Sequence, residues 1–221
     1  MSVKVLQAKI SVLEAHDRIA QRVRQTLNEM NIKMIDVLGG PGAGKTSIIK
    51  QLVTRLKDKF KIAYIGGDLA TAKDAEELSK LNVPSIQINT GTECHLEAPW
   101  VEDALKELLK EGKPDIIFVE NVGNLICPFE FDIGAHVRML IFSVDSGGKE
   151  KFEKYPIAVL RSSIIVINKI DVANIFDINV EELIQTGKKM NPKAEIVAVS
   201  AKTGEGIDKL ADILLKHLRI K

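Results

Sequence analysis

The chain alternates between two hydrophobic rhythms. Nearly unbroken apolar runs stand at Met34-Ile35-Asp36-Val37-Leu38, Lys61-Ile62-Ala63-Tyr64-Ile65 and Asp115-Ile116-Ile117-Phe118-Val119-Glu120, with further strand-like stretches at Ser85–Ile88, Val137–Val144, Ile164–Asn168 and Glu195–Ser200. Runs of this kind mark strands covered on both faces, as in a parallel sheet beneath helices. Between them the period changes to that of a helix. Ile48, Ile49, Leu52, Val53 and Leu56 share one face of Thr46–Phe60, and Trp100, Val101, Ala104, Leu105 and Leu108 share one face of a helix opened by Pro99 and ended near Gly112. Further helices are predicted at Asp74–Leu81, Val180–Met190 and Ile207–His217, and the segments Asn89–Glu97 and Asn121–His136 read as long loops. Residues 1–31 set Val5, Leu6, Ile10, Leu13, Ile19, Val23, Leu27 and Met30 among charges, which predicts one or two amphipathic helices, packed on the sheet or offered to a partner. The expected fold is α/β, a mostly parallel sheet of about seven strands covered by helices on both faces.

Composition narrows the class. At 221 residues, 45% hydrophobic and 28% charged, the chain can bury a sizeable single core. Its 31 basic and 30 acidic residues nearly cancel, so no global field draws it to nucleic acid or an anionic membrane. The start, Met1-Ser2-Val3-Lys4-Val5-Leu6-Gln7, has no apolar signal core, and no run approaches the ~20 residues of a membrane span, so a cytoplasmic location is expected. Two cysteines, Cys94 and Cys127, are too few for a disulfide framework and are expected as thiols.

The first strand runs into Gly39-Gly40-Pro41-Gly42-Ala43-Gly44-Lys45-Thr46-Ser47, a complete G-x-x-x-x-G-K-T. A glycine-rich turn between strand and helix aims successive N–H groups at anionic oxygens, and the helix N-terminus adds partial positive charge. Lys45 then reaches the β- and γ-phosphates and the Thr46 hydroxyl ligates magnesium. The segments are therefore an N-terminal helical extension, 1–33, and a P-loop NTPase (G) domain, 34–221. Asn168-Lys169-Ile170-Asp171 closes a strand, where open parallel sheets present binding residues. This N-K-x-D stretch matches the guanine-recognition element of GTPases. Asp171 can accept from guanine N1–H and the 2-amino group, which adenine lacks. Asn168 can hold the loop and face the O6/N7 edge, and the Lys169 stem can lie along the base. Ser200-Ala201-Lys202 matches the S-A-K element that meets O6. Glu120-Asn121-Val122-Gly123 stands where many GTPases carry D-x-x-G. Glu120 and Asp68, which follows Gly66-Gly67, are the acids expected at magnesium and the γ-phosphate; Asp68 could instead cap those glycines. No arginine finger is defined, with Arg138 and Arg161 left as candidates.

Cys94, His95 and Cys127 lie in the two long loops, both leaving C-terminal strand ends. Two thiolates and an imidazole suit zinc or nickel and not magnesium or calcium; on spacing alone, two small buried thiols and a surface histidine are the favoured reading. The stretches Asn89-Thr90-Gly91-Thr92-Glu93-Cys94-His95-Leu96-Glu97 and Glu120-Asn121-Val122-Gly123-Asn124-Leu125-Ile126-Cys127-Pro128 closely resemble the hydrogenase-maturation GTPases that deliver nickel to [NiFe]-hydrogenase, from about Met34 to the C-terminus. The resemblance implies the GTPase class that includes signal-recognition-particle, urease-nickel and cobalamin-enzyme chaperone GTPases. It implies a metal site of Cys94, His95 and Cys127 shared across a GTP-dependent homodimer, with the hydrogenase large subunit and a companion nickel-binding maturation protein as partners. Two departures qualify it: residues 1–33 hold no cysteine and only His16, and Pro99-Trp100 stand where some members have another histidine. An N-terminal nickel store is therefore not expected, and the fourth ligand is open to water or a second subunit. The competing readings are a regulatory GTPase with structural cysteines, a nickel GTPase serving urease, and a small-molecule kinase, against which Asn168 and Asp171 argue.

Overall fold

The computed structural model describes residues 8–220; Val5 and Leu6 of the N-terminal extension lie outside them. The strands are β1 (Lys33–Gly39), β2 (Ile62–Asp68), β3 (Ser85–Asn89), β4 (Ile116–Glu120), β5 (Val137–Ser143), β6 (Ile164–Asn168) and β7 (Glu195–Ala198). They form one sheet in the order β3-β2-β4-β1-β5-β6-β7, with every neighbouring pair parallel. Unbroken burial explains the unbroken apolar runs: every residue of β4 and β6 is buried. The edge strand β3 is only half covered. Because all strands run one way, Gly39, Asp68, Asn89, Glu120, Asn168 and Ala198 end at one rim of the sheet. Register fixes their spacing, with Val37 opposite Glu120, and Gly66 opposite Glu120 from the other side.

The helices are α1 (Ala8–Glu29), α2 (Lys45–Leu56), α3 (Lys73–Ser79), α4 (Ala98–Glu111), α5 (Cys127–Glu130), α6 (Glu150–Lys154), α7 (Pro156–Leu160), α8 (Val180–Met190) and α9 (Ile207–Leu218). Ile48, Leu52 and Val53 of α2 join Leu78 of α3 and Leu210 and Leu214 of α9 in one core layer against Ile35, Val37, Phe118 and Ile141. The opposite face carries two groups. Val23 and Leu27 of α1 pack with Val101 and Leu105 of α4 against Ala63 and Ile117, while Phe152, Val159 and Leu183 cover Leu140, Phe142 and Ile165. Burying a Leu, Val or Phe side chain contributes about 1.5–3 kcal/mol each before the entropy of ordering is subtracted, so each layer is a cooperative unit and not an attachment. The N-terminal helix thus packs on its own domain, and a bidentate pair from Arg22 to Glu102 (2.6 and 3.0 Å) ties α1 to α4.

Four details differ from the sequence expectation. Helix α2 stops at Leu56, four residues early, because Lys59 and Phe60 turn back to hydrogen-bond the Leu56 carbonyl. The loop after β4 contains the one-turn helix α5. Helices α6 and α7, five residues each, are too short to display a helical period. Strand β2 continues through Gly66 and Gly67, and Gly67 has a spatial reason: a Cβ there would lie 2.7 Å from Leu96 Cγ. The loop bearing Cys94 and His95 therefore rests directly on β2.

Candidate nucleotide and metal site

The phosphate loop joins β1 to α2 through two left-handed glycines, Gly42 (φ 71°) and Gly44 (φ 92°). Gly44 also has no room for a side chain: a Cβ would stand 2.3 Å from Asn168 Nδ2. That amide nitrogen donates to the Ala43 carbonyl (2.9 Å), while Asn168 Oδ1 accepts from the Ala201 N–H (3.1 Å). Asn168 is buried, so it laces the phosphate loop to the Ser200-Ala201-Lys202 turn. Of the two roles expected of Asn168, holding the loop is the one these two hydrogen bonds perform. Asp171 accepts a hydrogen bond on Oδ1 from the Ser200 hydroxyl (2.6 Å), and its other oxygen has no partner among the described residues. Lys169, itself at φ 64°, pairs with Asp145. Between these groups opens a cavity of about 390 Å³ lined by Ser47, Asp145, Lys169, Asp171, Phe176 and Lys202. A larger one, about 540 Å³, lies beside Lys57, Phe60, Leu81 and Lys113, far from the strand rim that carries the motifs. Convergent polar chemistry, not volume, singles out the smaller.

Glu120 is buried beneath the start of α2. Its Oε1 accepts from the Thr46 hydroxyl (2.9 Å) and lies 3.9 Å from Lys45 Nζ, and its Oε2 accepts from the Tyr64 hydroxyl (2.9 Å). Burial pushes Glu120 up to about 7, against the opposing charge of Lys45. Burial, reinforced by Glu120, also holds the Tyr64 phenol protonated well above its ordinary range. Thr46 and Glu120 are thus brought together, whereas Asp68 faces a different task. Its Oδ1 accepts from the N–H groups of Ala70 (3.0 Å) and Thr71 (2.8 Å), which hold it below the usual carboxylate range. Asp68 caps the turn after β2 and not the glycines before it. Gly123 lets the loop after β4 lie on the phosphate loop, since a Cβ there would approach Pro41 N to 3.1 Å. An antiparallel bridge between Gly39 and Asn124 fastens the two.

The thiols meet over this junction. Cys94 and Cys127 are both half-buried, and the adjacent Cys127 thiol raises the Cys94 thiol. Cys94 Sγ is 3.9 Å from His95 Nδ1, and Asn124 Nδ2 donates to Cys127 Sγ (3.5 Å). His95 is buried and its ring stacks on Phe131 at 4.0 Å. One side chain connects this loop to Glu120. Asn121, fully buried, accepts on Oδ1 from the N–H groups of Leu96 and Val122 (3.0 Å each) and donates to Asp36 Oδ1 (3.1 Å). Among the described residues no three His, Cys, Asp or Glu side chains converge into a closed metal-holding group. The thiol pair is an open arrangement.

Comparison with known proteins decides the family. The family model described as CobW/HypB/UreG, nucleotide-binding domain, matches residues 33–198. The chain belongs to the CobW/HypB/UreG family. It is 40% identical to a probable hydrogenase maturation factor HypB of Methanocaldococcus jannaschii, over 98% of this chain and 97% of that one. Its fold matches the crystal structure of the hydrogenase maturation factor HypB from Archaeoglobus fulgidus (TM-score 0.86, 34% identity, 93% of this chain and 100% of that one). It also matches HypB from Helicobacter pylori in complex with nickel (TM-score 0.87, 33% identity, 93% and 95%).

For a CobW/HypB/UreG nucleotide-binding domain the seven-stranded parallel sheet and the phosphate loop are as the sequence predicts. Sequence reasoning missed three contributors. Asp145 carried a weak signal, an acid two residues beyond a strand end on the binding rim. Tyr64 and Asn121 carried none, because their partners lie 56 and 25 residues away. Arg138 and Arg161, the candidate arginine fingers, donate to the carbonyls of Phe131 and Phe129. Both guanidiniums are engaged by the α5 segment. No described helix is long and apolar enough to cross a membrane.

Proposed function

We propose that this chain is a GTP-hydrolysing metallochaperone, binding nickel or zinc and assisting nickel insertion into [NiFe]-hydrogenase as a GTP-dependent homodimer. The observation that carries the reading is the Asn121 contact, one buried amide joining the residue after Glu120 to the backbone between His95 and Glu97. The nucleotide side of the proposal is supported by a cradle shaped for oxygen anions, with Gly39 to Ser47 as its wall. A hard-oxygen pair, Thr46 and Glu120, fits magnesium, and Asp68 retains one carboxylate oxygen to complete that side. Magnesium and the triphosphate, when bound, supply the reacting phosphoryl group and the charge that holds it. Lys45 neutralises charge there, Asp171 reads guanine, Lys169 flanks the base, and Lys202 and Gly123 line the approach, while the Ala201 N–H, given to Asn168 Oδ1, holds the Ser200-Ala201-Lys202 turn against that edge.

On the cargo side, Cys94 and Cys127 offer two thiolates and His95 an imidazole, a donor set for nickel or zinc. They are one ligand short of a tetrahedral shell, which a second copy supplies in a two-fold dimer. The named relatives, hydrogenase maturation factors, support a hydrogenase as the client; the companion nickel-binding maturation protein is proposed on the family resemblance alone. A relative called hydrogenase/urease maturation factor HypB, from Helicobacter pylori and 32% identical, favours urease as a second client.

Phosphate-release measurement tests the enzyme. Single-turnover hydrolysis at roughly 10⁻³ s⁻¹ is expected, as for GTPases lacking an arginine finger, and it is expected to vanish in Lys45→Ala. Asp171→Asn is expected to lose GTP affinity by roughly 10⁴-fold and to favour xanthosine triphosphate. Undiminished GTP binding by that variant would remove guanine reading from Asp171.

A further inference from the structure

Glu97 and His16 stand behind His95, on the side of the ring away from the thiols. His95 is buried, with its side chain 7% exposed, and presents Nδ1 to Cys94 Sγ at 3.9 Å. Its other nitrogen, Nε2, is buried with no hydrogen-bond partner, 4.0 Å from Glu97 Oε1. The second carboxylate oxygen of Glu97 is held 3.1 Å from His16 Nε2, on helix α1 and 81 residues away. Phe131 closes the group, stacked on His95 at 4.0 Å and edge-on to His16 at 5.4 Å. A buried imidazole nitrogen without a partner carries a desolvation cost of about 1–3 kcal/mol. A shift of about 1 Å by Glu97 removes that cost, bringing Oε1 to hydrogen-bond distance from Nε2–H.

We propose that Glu97, itself held by His16 of α1, is the positioning residue that fixes His95 as the Nε2–H tautomer and so aims the Nδ1 lone pair at the thiols. The inference rests on the reading of Cys94, His95 and Cys127 as metal ligands. It makes the N-terminal helix part of that site. A carboxylate behind a ligating imidazole sets its tautomer and raises its basicity, and losing such a partner typically lowers metal affinity 10–100-fold. His16 acts one step further back, by denying Glu97 other orientations, while Phe131 prevents the His95 ring from turning over.

Cobalt(II) titration of the full chain, read by ligand-field and thiolate charge-transfer absorption, tests this together with nitrogen NMR of His95 in the metal-free protein. Glu97→Ala is expected to weaken cobalt binding 10–100-fold and to alter the ligand-field bands. Glu97→Gln, which keeps an acceptor, is expected to recover most of the affinity, and His16→Ala to fall between. In a His95→Ala background Glu97→Ala is expected to have no further effect. Metal-free wild type is expected to hold one Nε2–H tautomer, which becomes a mixture in Glu97→Ala. Unfolding temperature and GTP-analogue affinity report whether each variant is folded. Wild-type affinity and spectrum in Glu97→Ala, or an equal loss from it in the His95→Ala background, would overturn the positioning role. Cobalt binding insensitive to Cys127→Ala would instead overturn the metal reading beneath it, and the metal-free tautomer would then decide the brace alone: a mixed or Nδ1–H state in wild type overturns it.

Discussion

Asp36 and Glu120 are both carboxylates taken almost wholly out of water, yet their surroundings differ. Glu120 has a threonine, a tyrosine and a lysine around it. Asp36, in the middle of β1, has one amide on Oδ1, no partner on Oδ2, and Arg138 no closer than 3.9 Å. Burial is the leading cause that pushes Asp36 up to about 6, partly offset by Arg138. The native state therefore holds a proton that the unfolded chain has already lost between about pH 4 and pH 6. Asp36 thus favours folding below about pH 4, and that contribution disappears as pH rises through 6, by up to roughly 3 kcal/mol. Asp36→Asn keeps an acceptor for Asn121 and removes the titration. Urea unfolding is expected to give a variant whose stability relative to wild type increases from pH 4 to pH 7; a constant difference would contradict a raised Asp36. At this scale the chemistry-bearing residues were legible as types, since the G-x-x-x-x-G-K-T, N-K-x-D and S-A-K spacings name their own roles. What each atom touches was not legible. Asn168 is an example: its amide is occupied by the Ala43 carbonyl and the Ala201 N–H from two distant turns.

At the scale of elements, two loops matter more than any helix. The segment after β3 carries Cys94 and His95, and the segment after β4 carries Cys127 by way of α5. Asn121 pins the first to the start of the second, and the Gly39–Asn124 bridge pins the second to the phosphate loop. Coupling requires a physical element whose arrangement both sites bias, and this pair of loops is that element on the proposed reading. Asn121→Ala removes the acceptor for the Leu96 and Val122 N–H groups while leaving Lys45, Thr46 and the thiols in place. Couplings between sites typically amount to 5–150-fold in affinity. Isothermal titration is expected to find that GTP-analogue-dependent ratio in metal affinity falling toward one in Asn121→Ala, with each ligand still binding. A ratio unchanged from wild type would exclude Asn121 as the link. Long elements were legible in the sequence because twelve or fourteen residues display a period. The short helices α5, α6 and α7 were not, because one turn of helix is set by tertiary contacts and displays none.

At the scale of the whole molecule, an all-parallel sheet brings every strand's C-terminal end to one rim, so that nucleotide and thiol groups from seven separated segments share one surface. The alternation of apolar runs with helical periods made a mostly parallel sheet of about seven strands legible, but not the order of its strands. The placement of α1 was not, because an amphipathic helix suits its own sheet and a partner's groove equally well until Val23 and Leu27 are seen inside the core. The same rim exposes Ile126 (62% exposed) beside Cys127 and Leu69 (47%) beside Asp68, which suits an isologous contact between two copies. If the dimer binds metal more tightly, metal favours the dimer, and the nucleotide that promotes the dimer raises metal affinity by the same linkage. The most direct measurement of the account is a nickel and zinc titration of the full chain, in a non-hydrolysable GTP analogue and in GDP, followed in parallel by sedimentation. The account predicts tighter metal binding in the GTP analogue, by at least about 5-fold, together with a metal-stabilised dimer, both lost in Cys127→Ala. Equal metal affinity in the two nucleotide states, or binding by Cys127→Ala equal to that of the wild type, would contradict it.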